Sequence, residues 1–269
     1  NRIKSKFLYY LMLNIDLSIW ASKSSLPSMK KSIVEIYKIP LPPLEVQQAV
    51  VAEIEGYQKI IDGARQVVEN YKPQIKIDPA WPLVELGEVC EIYNGSTPSR
   101  TNSSYWENGS IPWFTVKDVR DQGRIINDTK QFITQKALDE TSLKLLPANT
   151  VLICCTASVG EYALAKIPLT SNQQFNGLVV NQKYNEKLLP AFLFHLARDF
   201  KKQLLRLGGT TAFKFISVKD LKTIKTPPPP LDVQQAIVDK IENEETLVNA
   251  NKQLIEIYEK KIEEKIAED

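Results

Sequence analysis

The chain has 269 residues, 34 Lys and Arg against 32 Asp and Glu, and 43% apolar residues, a composition that suits a folded protein of about two domains and excludes a disordered or fibrous chain. One histidine, His195, excludes an HExxH zinc site, any two-histidine metal site and a Cys/His finger, and a serine triad would have to use His195 itself. The net charge of +2 is segregated: residues 1–43 carry +5, 44–80 carry −2, 81–225 carry +5 and 226–269 carry −6, so blocks suited to a polyanion alternate with acidic ones, with solvated surface as the plain alternative.

The chain opens on Asn1 rather than Met, as expected of a fragment or a processed chain, and shows no secretion signal. Its longest apolar stretch, 14 residues from Phe7 to Trp20, includes Asn14 and Asp16 and is too short and too polar to cross a bilayer. Pro40-Leu41-Pro42-Pro43 then enforces an extended lead-in, because proline lacks an amide donor and restricts the residue before it. A helix is predicted over 44–72, stopped by Pro73. Within it Ile54, Ile61 and Val68 recur every seven residues, and Val50, Tyr57, Ala64 and Tyr71 supply the second seam, the spacing of a coiled coil.

Residues 81–225 read as a mixed α/β unit with long loops. Val151–Cys155 and Leu178–Val180 are strand candidates, and Asn94-Gly95-Ser96-Thr97-Pro98, Asn108-Gly109 and Gln122-Gly123 read as turns. Leu188–Leu207 has helical periodicity, with Leu189, Phe192, Leu196, Phe200 and Leu204 on one side and Gly208-Gly209 as its stop. His195 on that helix reads as a packing residue. Cys90, Cys154 and Cys155 make no disulfide framework, which points to a reducing cytosol.

The last segment restates the first. Pro229-Pro230-Leu231-Asp232-Val233-Gln234-Gln235-Ala236-Ile237-Val238 matches Pro42-Pro43-Leu44-Glu45-Val46-Gln47-Gln48-Ala49-Val50-Val51 at a constant offset of 187. Phe192-Leu193-Phe194-His195-Leu196 resembles Phe7-Leu8-Tyr9-Tyr10-Leu11 at an offset of 185. A second long helix is predicted over 232–267, with Ile241, Val248, Ile255 and Ile262 seven apart and a second seam weakened by Glu244 and Asn251. The two helices are expected to pair antiparallel through Ile54, Ile61, Val68, Ile241, Val248 and Ile255; the alternative is that each packs on its own domain. The expected fold is α+β, a mixed α/β domain with long paired, coiled-coil-like helices, divided into 1–43, 44–80, 81–230 and 231–269.

Taken in order, Trp81-Pro82-Leu83-Val84-Glu85-Leu86-Gly87, Gly95-Ser96-Thr97-Pro98-Ser99, Ile111-Pro112-Trp113-Phe114, Pro147-Ala148-Asn149-Thr150-Val151, Asn172-Gln173-Gln174-Phe175-Asn176-Gly177 and the duplicated Pro-rich lead-in to a long helix carry a resemblance. The chain resembles the specificity subunit of a Type I restriction-modification system. The resemblance implies target recognition domains that each read one part of a split double-stranded DNA target, held apart by two antiparallel helices. It implies docking of methylation subunits on that frame and, through them, of a restriction subunit that translocates and cuts. It implies no catalysis, and no cofactor, metal or membrane is expected, with a cytoplasmic place. In keeping with this, the sequence has no Asn-Pro-Pro-Tyr/Phe motif, no Gly-rich cofactor loop after a strand and no phosphate loop. Residues 1–43 match only the tail of a first recognition domain and 81–230 a complete one. The chain therefore reads as a fragment, a silent cassette or a half-subunit that forms a homodimer.

On that reading the DNA contacts come from the loops of 81–225: Arg100, Lys117, Arg120, Asn172, Gln173, Gln174, Thr210, Thr211 and Lys214. Amides can pair with adenine and Arg or Lys with guanine, while Lys117 suits a phosphate. Gln173-Gln174 serve equally well as loop structure, and Tyr105, Trp106 and Trp113 as core rather than as base-stacking surfaces. Two other functions remain as alternatives. One is a protein-interaction or anti-restriction module using the acidic helices, which leaves the basic surplus of 81–225 unexplained. The other is the C-terminal recognition region of a fused methyltransferase/endonuclease polypeptide.

Overall fold

The structure is a computed structural model that describes residues 2–13, 15, 31–36, 38–156, 158–207 and 216–268. Contacts divide the chain into two units, Asn1–Pro73 with Asn243–Asp269, and Gln74–Glu242.

The first unit holds α1 (Ser5–Leu13), α2 (Lys31–Ile36) and α3 (Leu44–Asn70). It also holds the part of the last helix, α9 (Leu231–Glu268), that follows Glu242. Pro43 in an extended conformation starts α3, and Tyr71, extended again before Pro73, ends it. Phe7 and Leu11 of α1 bury against Val50 and Ile54 of α3, and Ile262 and Ile266 of α9 close over them. Tyr57 and Tyr258 pack ring to ring at 5.3 Å. One turn before Tyr57, Glu53 pairs with Lys265 at 3.2 Å, so partners on α9 advance as those on α3 retreat and the helices run antiparallel. The Tyr57 hydroxyl, and then Lys265, hold the Glu53 carboxyl below its usual range. Ile61 and Val248 are buried, and Val68 and Ile255 half-buried. Ile241 departs from the expected pairing: it belongs to the apolar core of the second unit, beside Val238 and Phe192, so α9 changes partner along its length.

The second unit opens with β1 (Val84–Glu85), α4 (Leu86–Val89), β2 (Cys90–Asn94), β3 (Ile111–Phe114), α5 (Val116–Gln122), β4 (Ile125–Ile126), β5 (Phe132–Ile133) and α6 (Gln135–Glu140). It continues with β6 (Val151–Cys154), β7 (Tyr162–Ala165), β8 (Thr170–Ser171), β9 (Phe175–Val180), α7 (Pro190–Leu207), α8 (Val218–Lys222) and β10 (Lys225–Thr226). Its main sheet has the order β2-β9-β6-β7-β4, a smaller one β5-β3-β8, and β1 pairs with β10. Both faces of β6 are buried, which is why its residues read as a continuous apolar run instead of alternating. Val151 and Ile153 pack under Phe192, Leu196 and Phe200 of α7, while Leu152 and Cys154 point into a second cluster with Phe114 and Phe175. Burial pushes the Cys90 thiol up to about 12 and the Cys155 thiol up to about 11, so neither is a nucleophile at neutral pH.

The sequence duplication is also a structural one. Gln47 is fully buried; its Nε2 donates to the carbonyls of Arg2 (3.0 Å) and Pro42 (2.8 Å), and its Oε1 accepts from the Lys4 amide (2.8 Å). Gln234 repeats this atom for atom, donating to Lys187 (2.7 Å) and Pro229 (2.6 Å) and accepting from Leu189 (2.8 Å). In each half the amide ties the Pro-rich lead-in of a long helix to the start of the shorter helix beside it. Without the amide these buried and part-buried backbone groups would lose a partner.

His195 is buried beside the Phe194 ring, as a packing residue. Burial, with a smaller contribution from Arg198, pulls its pKa from 6.5 to about 4. Between those values the unfolded chain binds a proton that the folded chain excludes, so stability is expected to fall as pH drops from 6.5 towards 4. Denaturant midpoints measured across that window should fall less steeply for His195→Gln than for the wild type.

Candidate nucleic-acid interface

Among the described residues, Arg100, Lys117, Asn172, Gln173 and Gln174 sit on or beside three loops that the fold ties together, with Arg120 one turn into α5. The first follows β2. Gly95 donates its amide to the Phe175 carbonyl and Ser96 to that of Ser171, both at 2.9 Å. A Cβ on Gly95 would lie 2.1 Å from the Asn172 carbonyl oxygen, so only glycine lets the loop approach this closely. The second loop is the turn 172–174 between β8 and β9. The third is the junction of β3 and α5, joined to the turn by the Asn172 amide, which donates to the Phe114 carbonyl at 3.1 Å.

Within the turn the three amide side chains have different fates. Asn172 is buried, its Oδ1 accepting from the Gln174 amide and its Nδ2 donating to Gln174 Oε1, both at 3.1 Å. These two side chains thus brace the turn itself, with Gln174 left half-exposed. Gln173 is exposed, and its Oε1 accepts from the Thr97 hydroxyl of the first loop. At the third loop, Asp118 is buried and accepts from the Thr115 amide (2.7 Å), the Thr115 hydroxyl (3.0 Å) and the Lys130 amide (2.9 Å). That capping box fixes the first turn of α5 and leaves Lys117 and, one turn on, Arg120 exposed. Arg120 borders a cleft of about 350 Å³ that also takes in Arg124, Ser158 and Glu161. Arg124 pairs with Glu161 at 3.6 Å and lies 4.5 Å from the Tyr162 ring centroid.

Arg100 is exposed on the first loop, its guanidinium 3.6 Å from the centroid of Trp106 and 4.8 Å from that of Trp113. Its Nη2 donates to Gln131 Oε1 at 2.6 Å. Trp113 is core, and the Arg100 guanidinium lies over one face of the half-buried Trp106, so neither ring offers that face to a base. Thr210, Thr211 and Lys214 lie outside the described residues. Thr97 and Gln131 escape sequence reading: one looks like turn chemistry, and the other sits in no motif. Among the described residues no cluster of His, Cys, Asp and Glu has the makings of a metal site, and no helix is long and apolar enough to cross a membrane.

A family model described as the Type I restriction modification DNA specificity domain matches residues 80–259. This chain belongs to that family. The specificity subunit of the EcoR124I/EcoR124II enzyme of Escherichia coli is 33% identical to it over 172 residues, 61% of this chain and 41% of the relative. The MjaIX specificity subunit of Methanocaldococcus jannaschii is 31% identical over 188 residues, 69% of this chain and 42% of the relative. The chain thus spans about two fifths of the length of these relatives. The crystal structure of the HsdS subunit from Thermoanaerobacter tengcongensis superposes with a TM-score of 0.58 at 24% identity, covering 98% of this chain and 69% of that one. This chain and this neighbour share one fold, a mixed α/β body with long helices, and the span matched by the family model contains all three loops of the candidate interface.

Proposed function

We propose that this chain is a non-catalytic DNA sequence-recognition component of a Type I restriction-modification complex. The unit Gln74–Glu242 reads one half of a two-part target, and a further recognition domain, in the same polypeptide or in a second copy, reads the other. The observation that carries this reading is that Arg100, Lys117, Arg120 and the amide of Gln173 stand exposed on or next to the tied loops of a specificity domain, with no carboxylate paired to any of the three cations among the described residues. Uncompensated cations meet phosphates, and an outward amide or guanidinium meets a base edge. The paired helices carry the methylation subunits and, through them, the restriction subunit. Leu247, Leu254 and Ile257 form an exposed apolar seam on α9 at helical spacing, which suits an added helix from such a partner. The place of action is the cytoplasm, with the DNA.

Binding of the full chain to duplex DNA across a salt series tests this. Affinity is expected to fall steeply with salt. Lys117→Gln and Arg120→Gln should weaken binding to all sequences and each lower the slope by about one. Gln173→Ala should instead change which sequences are preferred, by about 1–3 kcal/mol at one base pair. Binding indifferent to salt, or none, overturns the reading.

A further inference from the structure

Resting on the DNA-recognition reading, we propose that Arg100 is a guanine-reading residue, with Trp106, Trp113 and Gln131 as the residues that position it. The two indoles meet edge to face, centroids 5.0 Å apart at 88°, and form a corner that holds the Arg100 guanidinium. Each wall is tied to the loop that bears the arginine: Trp106 Nε1 donates to the Ser99 carbonyl and Trp113 Nε1 to that of Ser96, both at 3.0 Å. Both indole N–H groups are therefore consumed, and what the walls offer is ring face. Gln131 Oε1 takes one hydrogen of Nη2 and sets the rotation of the guanidinium about its last bond.

The arrangement holds still a side chain that ordinarily has about 2 kcal/mol of rotamer freedom. A phosphate contact does not require such fixing. A guanidinium can grip phosphate bidentately, but a mobile lysine also binds it as a point charge, with no plane to match. A bidentate pair with the O6 and N7 of guanine is different, because two parallel N–H groups must lie in the plane of the base. A guanidinium stacked in a corner, clamped by one neutral acceptor and left with free N–H groups and an uncompensated charge, is built for that geometry. A carboxylate in place of Gln131 would have neutralised it. The neutral amide fixes the orientation and leaves the charge for the ligand.

The test uses the full chain assembled with its methylation subunits and a pool of duplexes randomised in sequence, with the bound fraction sequenced. The wild type is expected to select a motif containing an invariant G·C pair. Arg100→Lys keeps the charge and removes the fork. It should relax preference at that one position by roughly 10- to 100-fold while leaving the other positions, and the salt dependence of overall binding, unchanged. Gln131→Leu and Trp106→Phe leave Arg100 in place and should relax the same position to a smaller degree, an effect that a purely structural role would spread over all positions. The proposal is overturned if Arg100→Lys leaves every position as selective as before. It is also overturned if Arg100→Ala weakens all sequences equally and lowers the salt slope by about one, the behaviour of a phosphate contact. A wild-type complex that binds no duplex at all would instead defeat the DNA-recognition reading beneath it.

Discussion

Gln234→Leu is expected to lower the stability of the unit Gln74–Glu242 by about 3 kcal/mol or more, although the volume scarcely changes. The substitution leaves the buried Pro229 carbonyl and the part-buried Lys187 carbonyl and Leu189 amide without the partner they have on Gln234. Each stranded group costs roughly 1–3 kcal/mol. Against a total stability of about 5–15 kcal/mol the loss is large. Urea denaturation of the full chain measures it. The neighbouring Gln235 is exposed and pairs with Asp239 at 2.7 Å, so Gln235→Leu is the control and should stay within about 0.5 kcal/mol of the wild type. Should the two variants be equally stable, the buried amide is not the tie it is described as. Gln47→Leu, the same change in the other half of the duplication, is expected to act in the same way on the helical unit.

Ile54→Asp is expected to separate the paired helices. Ile54 is fully buried among Phe7, Leu11 and Val50, with Ile262 and Ile266 against it. A carboxylate there has no partner, and burying it costs several kcal/mol. The thermal transition of the helical unit, followed by circular dichroism, should move down or disappear. Leu247→Asp, on the exposed seam of α9, should leave that transition where it was. A wild-type transition in Ile54→Asp would mean that these residues do not hold the helices together.

Much of this was legible in the residues themselves. The duplication is a matter of identity at a constant offset, and the paired glutamines at 47 and 234 have the same hydrogen bonds because the same short sequence surrounds each. The limits of α3 follow from Pro43 and Pro73, since proline forbids helix interior wherever it occurs. The run Val151–Cys154 is a strand buried on both faces, as its unbroken apolar character suggests. Other features depended on residues far apart in the chain. Val84 pairs with Thr226, and Trp113 runs parallel to Thr170, pairings that leave no local pattern. A heptad period says that one face of α9 is buried but not against what. Hence Ile241 lies in the globular core while Ile262, three heptads on, lies over α3's partners Phe7 and Leu11. Composition likewise marks Asn172, Gln173 and Gln174 as equivalent amides. Only the turn, closed by a glycine that lets residue 95 come against residue 172, buries Asn172, binds Gln174 to it and leaves Gln173 facing out. Arg100 needed most from the tertiary structure. Its orientation is set by Trp106, Trp113 and Gln131, up to 31 residues away, and a side chain's direction is decided by what surrounds it once the chain has folded.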